Sequence, residues 1–279
     1  MLFYKIKLYY INLNMFRKLI VIIISVILIA FNANAGSDGD LSLKKIDTEK
    51  VKDCFEKLNR VTFAFNQGLD KALIKPIAKT YRKLPDQIQI GTTNVVNNLS
   101  NLITIPNNVL QGDIKSALIN SGRLVVNTTL GILGTIDVAN KMGFPKYVKE
   151  DYGQTLGAWG IGPGCYLVLP VLGPSNLRDT AGSFVNVLGG DPWYNASAHG
   201  NNEFLNESVY LTSKALGGID FRARNLESLD NLEKNSIDFY ASVKSLYQQD
   251  RENKIKNNQR GNIEVLYKDE EDWKEIDNQ

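Results

Sequence analysis

The pattern of apolar and polar positions is helical from about Val51 onward. In VKDCFEKLNRVTFAFNQGLDKALIKPIAKTYRKL, apolar side chains recur at spacings of three and four residues, at Phe55, Leu58, Val61, Phe65 and Leu69. This spacing places them on one face of a helix. Because proline has no backbone N–H to donate, Pro76 is expected to kink or divide the helix, and Pro85 suits the first turn of the next one.

Further helices are predicted downstream. GDIKSALINSGRLVVNTTLGILG is typical of a helix that ends at Gly131 or Gly134, and Ser175 suits the N-cap of NLRDTAGSFVNVL. NEFLNESVYLTSKALGG and SIDFYASVKSLYQQDRENKIKNN each carry apolar residues on one side and charges on the other. Apart from short pieces such as CYLVLPVL, strand patterns are few, and no repeat of fixed period is visible. The chain is therefore predicted to be all-α.

Three runs of the chain contain no charged residue. They are the stretch between Asp86 and Asp113, the stretch from Leu124 to Ile136, and YGQTLGAWGIGPGCYLVLPVLGPSNL between Asp151 and Arg178. A charge at the centre of a membrane helix costs about 2.5–3.5 kcal/mol, so such runs suit lipid. Gly and Pro interrupt the third run too often for one spanning helix. The pattern suits kinked helices within a bilayer interface, and a large core in a soluble protein explains it about equally well.

Composition limits the function classes. The 279 residues could form one large domain or two small ones, and the hydrophobic fraction of 43% is that of a globular protein. The net charge of +2 depends on four basic residues of the N-terminal segment, which has no acidic residue. The rest of the chain is near neutral, so nothing indicates a nucleic-acid partner.

The N-terminal segment has the features of a secretory signal. Arg17 and Lys18 precede the apolar run LIVIIISVILIAF, and Ala33-Asn34-Ala35 then offers a cleavage point; an uncleaved anchor is the alternative. The predicted organisation is a signal peptide over 1–35 (with Met15 as an alternative start), a flexible spacer over 36–50, a helical domain over 51–258, and a polar, acidic, disordered tail over 259–279. The protein is therefore expected to be exported.

Two cysteines, Cys54 and Cys165, remain after the signal. An oxidising compartment permits a disulfide, but we expect two buried, unpaired thiols. Neither cysteine directly follows the apolar run, where a lipoprotein carries its acylated cysteine.

The residues for catalysis are sparse. His199 is the single histidine, and no GxSxG motif surrounds Ser175, Ser183 or Ser197. No spacing typical of metal ligands is present. We therefore expect no enzyme activity, no cofactor and no metal; a lipid hydrolase that uses His199 and a serine is the alternative.

Ordered motifs between Asp53 and Asn258 resemble one family. They are Leu58-Asn59-Arg60, Phe65-Asn66, Leu69-Asp70, Pro76-Ile77-Ala78 with Tyr81, Leu110-Gln111-Gly112, Gly122-Arg123, Asn127-Thr128-Thr129-Leu130-Gly131, Asp137-Val138-Ala139, Tyr152-Gly153-Gln154-Thr155-Leu156, Trp159-Gly160, Leu169-Pro170, Leu172-Gly173-Pro174-Ser175, Arg178-Asp179, Gly218-Ile219-Asp220, Arg222-Ala223-Arg224, and Asp238 with Tyr240. The chain resembles the MlaA (VacJ) proteins, phospholipid-transport components of the Gram-negative outer membrane.

The resemblance implies a ring of kinked amphipathic helices around a central amphipathic channel, on the periplasmic side of the outer membrane. Such a protein removes mislocalised phospholipid from the outer leaflet and maintains lipid asymmetry. Its implied partners are phospholipid, a trimeric porin and a soluble periplasmic lipid carrier. A membrane-surface scaffold without a channel is the alternative.

The chain departs from the family pattern in three places. The acylated cysteine is missing after the signal, so membrane attachment is expected to depend on buried helices. Both Cys54 and Cys165 stand where the family often has proline, which leaves a disulfide specific to this chain open. Val95 and Val96 replace aromatic residues, which leaves the depth of that helix in lipid open.

The resemblance also suggests site residues, each with a structural alternative. The candidates for lipid contact or channel lining are Asn94, Val95, Val96, Leu156, Trp159, Tyr166, Leu167 and Leu169. Core packing, or capping for the asparagine, would explain them equally well. The hinge candidates are Gly157, Gly160, Gly162 and Gly164, for which tight turns are the alternative. The structural or gating charges are Arg123, Arg178 and Asp179, for which we favour structural ion pairs.

Overall fold

A computed structural model describes residues 51–198 and 205–259. The predictions for the signal peptide, the spacer, the acidic tail and His199 lie outside these residues. The described helices are α1 (Glu56–Leu69), α2 (Lys75–Tyr81), α3 (Asp86–Leu110), α4 (Ile114–Thr129), α5 (Val138–Lys141), α6 (Tyr152–Ala158), α7 (Leu177–Val185), α8 (Pro192–Ala198), α9 (Glu207–Arg224), α10 (Leu226–Asn235) and α11 (Phe239–Gln259). Two short strands, β1 (Tyr166–Leu169) and β2 (Gly173–Asn176), form an antiparallel hairpin.

A π-helical segment interrupts the first helix just before Pro76. The chain stays helical from α1 to α2, but a π-helical segment, Asp70–Ile74, lies between them. Proline lacks the N–H that would bond four residues back, and a π-helical turn is one way to relieve that mismatch. Pro85 directly precedes α3. Both prolines therefore act close to where the sequence predicted.

The N-cap of α7 differs from the prediction by one residue. Asn176 is the N-cap, and its side chain accepts a hydrogen bond of 2.8 Å from the Asp179 backbone N–H. Ser175 instead lies in β2, paired with Leu167. An asparagine caps as well as a serine does, so the sequence offered two adjacent candidates.

Side-chain amides of α1 hold the outer edge of β1. Asn59 donates to the Tyr166 carbonyl at 3.0 Å and accepts from the Val168 N–H at 2.9 Å. Farther along α1, Asn66 donates to the Leu169 carbonyl at 2.9 Å and accepts from the Val171 N–H at 2.7 Å. These amides satisfy backbone groups that a third strand would otherwise pair. The two asparagines therefore fix the hairpin on α1.

The expectation of unpaired thiols is wrong. Cys54, just before α1, and Cys165, just before β1, form a disulfide across a sequence separation of 111. The backbone also pairs there, because the Tyr166 N–H donates to the Lys52 carbonyl at 2.9 Å. The resemblance left this disulfide open, and the local sequence could not decide it because only the fold brings the two positions together.

The contacts between elements close into a circuit. From α1 they pass through the π-helical segment to α2, then to α9, α3, α6 and α11, and return through β2 and β1 to α1. Asp53, just before α1, closes it: it accepts a hydrogen bond from the Tyr240 hydroxyl and lies 3.2 Å from Lys244 Nζ. The predicted helical fold with a ring-like arrangement is confirmed, and the short hairpin is the addition.

A prediction follows from the contact between α6 and α7. A Cβ on Gly182 would lie 2.4 Å from the backbone nitrogen of Gly153, so the helices meet backbone to backbone. We expect Gly182→Ala to lower the free energy of unfolding by about 1–3 kcal/mol, as overpacking does. Thermal unfolding in detergent micelles measures the change. Gly218→Ala is the matched control, because a Cβ there meets nothing within 4 Å and alanine favours the helix. Equal behaviour of the two variants would contradict the close approach.

Candidate functional site

The interface between α3 and α4 is polar and buried. Its fully or nearly fully buried side chains are Asn98, Asn101, Thr104, Asn107 and Asn108 of α3 and Asn120, Arg123 and Asn127 of α4. On α3 these residues recur at helical spacing, so they form one stripe. Buried polar groups are costly unless they are hydrogen-bonded, and this stripe is bonded along most of its length.

Hydrogen bonds tie this stripe to its neighbours. Asn120 donates to Asn108 Oδ1 at 2.9 Å, and the Thr155 hydroxyl of α6 donates to Asn107 Oδ1 at 2.6 Å. The Thr104 hydroxyl lies 2.8 Å from that of Tyr147. Burial raises the pKa of Tyr147 above its usual range, so this hydroxyl stays neutral. The polar stripe thus joins α3, α4 and α6.

An ion pair ends the stripe. Arg123 Nη2 lies 2.6 Å from Asp137 Oδ2, and its Nη1 donates to the Pro145 carbonyl at 2.7 Å. Asn127 donates to the other oxygen of Asp137 at 2.9 Å. Between these residues and α3 lies a cavity of about 20 Å³, which is room for about one water molecule. Two buried oxygens there, Asn98 Oδ1 and Asn101 Oδ1, have no protein hydrogen-bond partner within the described ranges.

The outside of the same region is apolar. On α4 and the loop after it, the exposed large side chains are Ile114, Leu118, Val125, Leu130, Ile132 and Leu133. This arrangement inverts the usual one, in which apolar side chains fill the inside. Large exposed apolar surfaces mark contact with a partner or with lipid.

Two exposed apolar tips, one after α4 and one at the hairpin turn, hold strained backbone. The first tip is the loop 130–134, where Ile132 and Leu133 have φ of 50° and 54° and exposures of 66% and 74%. The second is the hairpin turn, where Val171 has φ of 66° and Leu172 is 76% exposed. A β-branched residue with positive φ is an outlier, and such strain costs about 1–3 kcal/mol per residue. Strained, exposed hydrophobic tips indicate function rather than stability.

The structure separates the predicted lipid-contact residues into groups. Trp159 is 56% exposed, with its indole N–H donating to the Leu110 carbonyl at 2.9 Å. Tyr166 is fully buried, and its ring meets those of Tyr240 and Tyr247 edge to face. Tyr166 is therefore a core residue, because the aromatic cluster leaves it no open surface. The partly buried candidates are Asn94, Val95, Val96, Leu156, Leu167 and Leu169. Their contact with lipid stays a prediction.

The four glycines predicted as hinges have different surroundings. Gly160 and Gly164 have φ of 86° and 68°, which a tight turn requires. Gly157 lies inside α6, where a Cβ would come within 2.6 Å of Ile255. Gly162 faces open space. Turn formation and close packing account for three of these glycines, and hinge motion stays a prediction.

The predicted charges Arg178 and Asp179 belong to a buried network. Arg178 Nε donates to Asp179 Oδ1 at 3.0 Å, and Arg251 of α11 lies 2.8 Å from Asp179 Oδ2. Arg251 also binds Asp151 through two bonds of 2.6 and 2.9 Å. Burial alone would raise the pKa of Asp151, but hydrogen bonds and charge attraction from Arg251 outweigh it and hold that pKa well below its usual range. Asp151 therefore stays ionised, and the network clamps α11 onto α6 and α7.

Sequence reasoning missed most of the polar stripe. It singled out Asn94 and Arg123 but overlooked Asn101, Thr104, Asn107 and Asn120, as well as Arg251. A signal was present, because the uncharged polar residues of α3 recur every three or four positions as apolar residues usually do. A charge-free run with a polar period indicates a buried polar stripe.

A family model for the MlaA lipoprotein matches residues 51–254. The chain belongs to the MlaA family. This assignment agrees with the motifs that hold the fold, since Asn59, Asn66 and Asp179 all lie within the matched region.

Similar proteins include two that are named for this family. An uncharacterised protein of Rickettsia bellii is 36% identical over 211 residues, which are 73% of this chain and 76% of the relative. The Shigella flexneri protein named intermembrane phospholipid transport system lipoprotein MlaA is 32% identical over 206 residues, 72% of this chain and 77% of the relative. The Haemophilus influenzae protein of the same name is 27% identical over 218 residues, 75% of this chain and 82% of the relative.

A solved structure has the same fold. It was reported as "Structural basis for maintenance of bacterial outer membrane lipid asymmetry", and it aligns with a TM-score of 0.63 and 31% identity over 73% of this chain and 99% of its own. Named MlaA relatives are thus phospholipid-transport components, and the chain shares their fold. In the part of the chain that the structure describes, none of the helices has both the length and the apolar character needed to cross a membrane.

Proposed function

We propose that this MlaA-family chain is a phospholipid-transport component of the outer membrane. It takes mislocalised phospholipid from the outer leaflet, passes it through a central amphipathic channel to a soluble periplasmic lipid carrier, and so maintains lipid asymmetry. A trimeric porin is the proposed neighbour in the membrane. Affinity of the carrier for lipid drives the transfer, and no bond is made or broken in it.

The inverted polarity of α3, α4 and the two tips supports this proposal most. Apolar side chains such as Leu118 and Leu133 are about 70% exposed, whereas Asn107 and Arg123 are buried. In water, exposed apolar side chains add nothing to the stability of the fold. In lipid, the same side chains are removed from water, which is favourable. The strained tips suit the same role, because insertion into a leaflet gives their apolar side chains a partner.

The charge-free runs fit insertion from one side of the membrane. The first tip belongs to the run from Leu124 to Ile136, and the second tip belongs to the run before Arg178. Helices that lie in an interface bury one face by several ångströms and do not need to span the bilayer. The region held by α10 and α11, in contrast, carries many ion pairs, among them Lys75–Asp230 and Arg60–Asp238. That region suits water.

Deleting the gene tests the function. We expect phospholipid exposed in the outer leaflet to rise, and the wild-type gene to restore it. A Leu133→Asp/Leu172→Asp variant adds a charge to each tip, where each costs up to about 2.5–3.5 kcal/mol in hydrocarbon. This variant is expected to leave the membrane fraction in a high-salt wash and to fail in restoring asymmetry.

The matched control is Leu246→Asp, on α11 outside the charge-free runs and 51% exposed. It is expected to behave as the wild type. An unchanged outer leaflet after deletion would reject the transport role. Restoration without any lipid cross-linking to Trp159 would favour a scaffold, and loss of function in His199→Ala would favour a hydrolase.

A further inference from the structure

An apolar groove lies between α2 and α9, apart from the polar stripe and the tips. Its volume is about 440 Å³, within the usual range for ligand pockets. It is lined by Pro76, Ile77, Thr80, Tyr81, Leu84, Leu216 and Ile219. Below it, Ala78, Tyr81 and Ala223 form a small buried cluster. The floor is therefore fixed and the opening faces outward.

The groove offers no free hydrogen-bonding side chain. The Thr80 hydroxyl donates to the Pro76 carbonyl at 3.1 Å, and the Tyr81 hydroxyl lies 3.1 Å from Asp220 Oδ1. Every other lining side chain is apolar. A polar peptide face would gain few bonds here, whereas a hydrocarbon chain needs none.

Two lysines, Lys79 and Lys83, neighbour the lining residues along the chain. Lys79 lies three residues after Pro76, and Lys83 lies three residues after Thr80, and the helical hydrogen bonding continues through this turn. Residues at this spacing are neighbours on a helix surface. Both lysines are exposed, and neither has an ion-pair partner within residues 51–198 and 205–259.

The other cations nearby are already neutralised. Lys75 lies 2.8 Å from Asp230, Arg222 lies 2.9 Å from Asp70, and Arg224 lies 3.0 Å from Asp220. Arg82 is paired with Glu227. The contrast leaves Lys79 and Lys83 as the positive charge available beside the groove, so this pair of lysines complements an anion.

We propose that the α2–α9 groove binds one acyl chain of an anionic phospholipid, with Lys79 and Lys83 contacting its phosphate. This inference rests on the proposed transport function and adds a second lipid site with a head-group preference. The ion pairs of α10, which contacts α2, suit a water-facing position for the groove. The groove thus holds a phospholipid that has left the bilayer.

Photo-cross-linking tests the site. The intact chain in detergent micelles is mixed with phosphatidylglycerol that carries a diazirine in one acyl chain, and labelled peptides are mapped by mass spectrometry. We expect label in the peptides that contain residues 76–84 and 216–219, and competition by unlabelled phosphatidylglycerol. The same probe made from zwitterionic phosphatidylcholine is expected to label these peptides less.

Variants assign the roles of the groove and the two lysines. Ile77→Trp fills the groove and is expected to lower this labelling about tenfold. Leu84→Trp serves the same purpose if the first variant does not fold. Leu211→Trp, at an exposed apolar position of α9 that does not line the groove, is the control. Lys79→Glu/Lys83→Glu is expected to lower labelling by phosphatidylglycerol to the level of phosphatidylcholine, whereas Lys57→Glu/Lys115→Glu is not.

Equal labelling of the Ile77→Trp and Leu211→Trp variants, or label confined to other peptides, would overturn the groove as a lipid site. The Ile77→Trp variant is also tested for capture of the periplasmic carrier protein. If it loses capture while its lipid labelling is unchanged, the groove binds protein and the proposal is overturned. The deletion experiment keeps the two proposals apart. A rise in outer-leaflet phospholipid without groove labelling rejects only the groove, and an unchanged leaflet rejects the transport role.

Discussion

Arg251→Met is expected to lower the free energy of unfolding by about 3–5 kcal/mol, the cost of removing one partner from a buried ion pair. The guanidinium has two carboxylate partners, and its removal leaves the partly buried Asp151 without its cation and the buried Asp179 with Arg178 alone. The Tyr247 hydroxyl, which donates to Asp179, depends on the same arrangement. Thermal and denaturant unfolding in detergent micelles measures the loss. Because α11 closes the circuit, we expect the variant also to become sensitive to proteolysis within α11.

Lys256→Met is the control for this prediction. Lys256 forms an exposed pair with Glu252 one turn away on the same helix, and such pairs contribute about 0.3–0.5 kcal/mol. Each variant removes one positive charge from α11. The difference between their losses in free energy of unfolding therefore reports the effect of burial. A loss of similar small size in both would show that the network does not clamp α11.

Replacing both cysteines by serine is expected to cost about 2–5 kcal/mol of folding stability. The disulfide closes a loop across a sequence separation of 111, and a loop of about 100 residues predicts a value near the upper end. Without the crosslink, the segment before α1 keeps the hydrogen bond between Lys52 and Tyr166 but gains freedom when the chain unfolds. The unfolding temperature of the Cys54→Ser/Cys165→Ser variant measures the effect.

Reduction provides the internal check. The wild type treated with dithiothreitol should fall to the stability of the double variant, because Cys54 is exposed to the reagent. The double variant should not respond to the reagent at all. A wild type that is unaffected by complete reduction, verified by mass spectrometry, would contradict a stabilising crosslink.

Local spacing predicted the helices but not what joins them. The apolar period around Phe55 and the breaks at Pro76 and Pro85 are properties of neighbouring residues, and the structure follows them closely. The bonds from Asn59 to β1 span more than a hundred residues. Nothing in the local pattern distinguishes such an asparagine from one that faces water. The two cysteines were wrongly predicted to be unpaired for the same reason.

The candidate site was predicted less well because its polarity is inverted. Periodicity identifies a stripe, but it does not say which side of the helix is buried. On α3 the polar stripe is inside, with Asn107 fully buried. The strained tips were also beyond sequence reasoning, since Ile132 and Val171 are among the residues least expected at positive φ. Tertiary contacts hold these conformations against local preference.

The closed circuit has a consequence for biogenesis. Asp53 near the start of the domain is bound by Tyr240 and Lys244, which are synthesised almost two hundred positions later. Contacts between residues so far apart in the sequence form slowly, because closing the long intervening loop costs chain entropy. The circuit therefore closes only after the last helix has been synthesised. A polypeptide that terminates prematurely before Phe239 would keep its early helices and leave the circuit open.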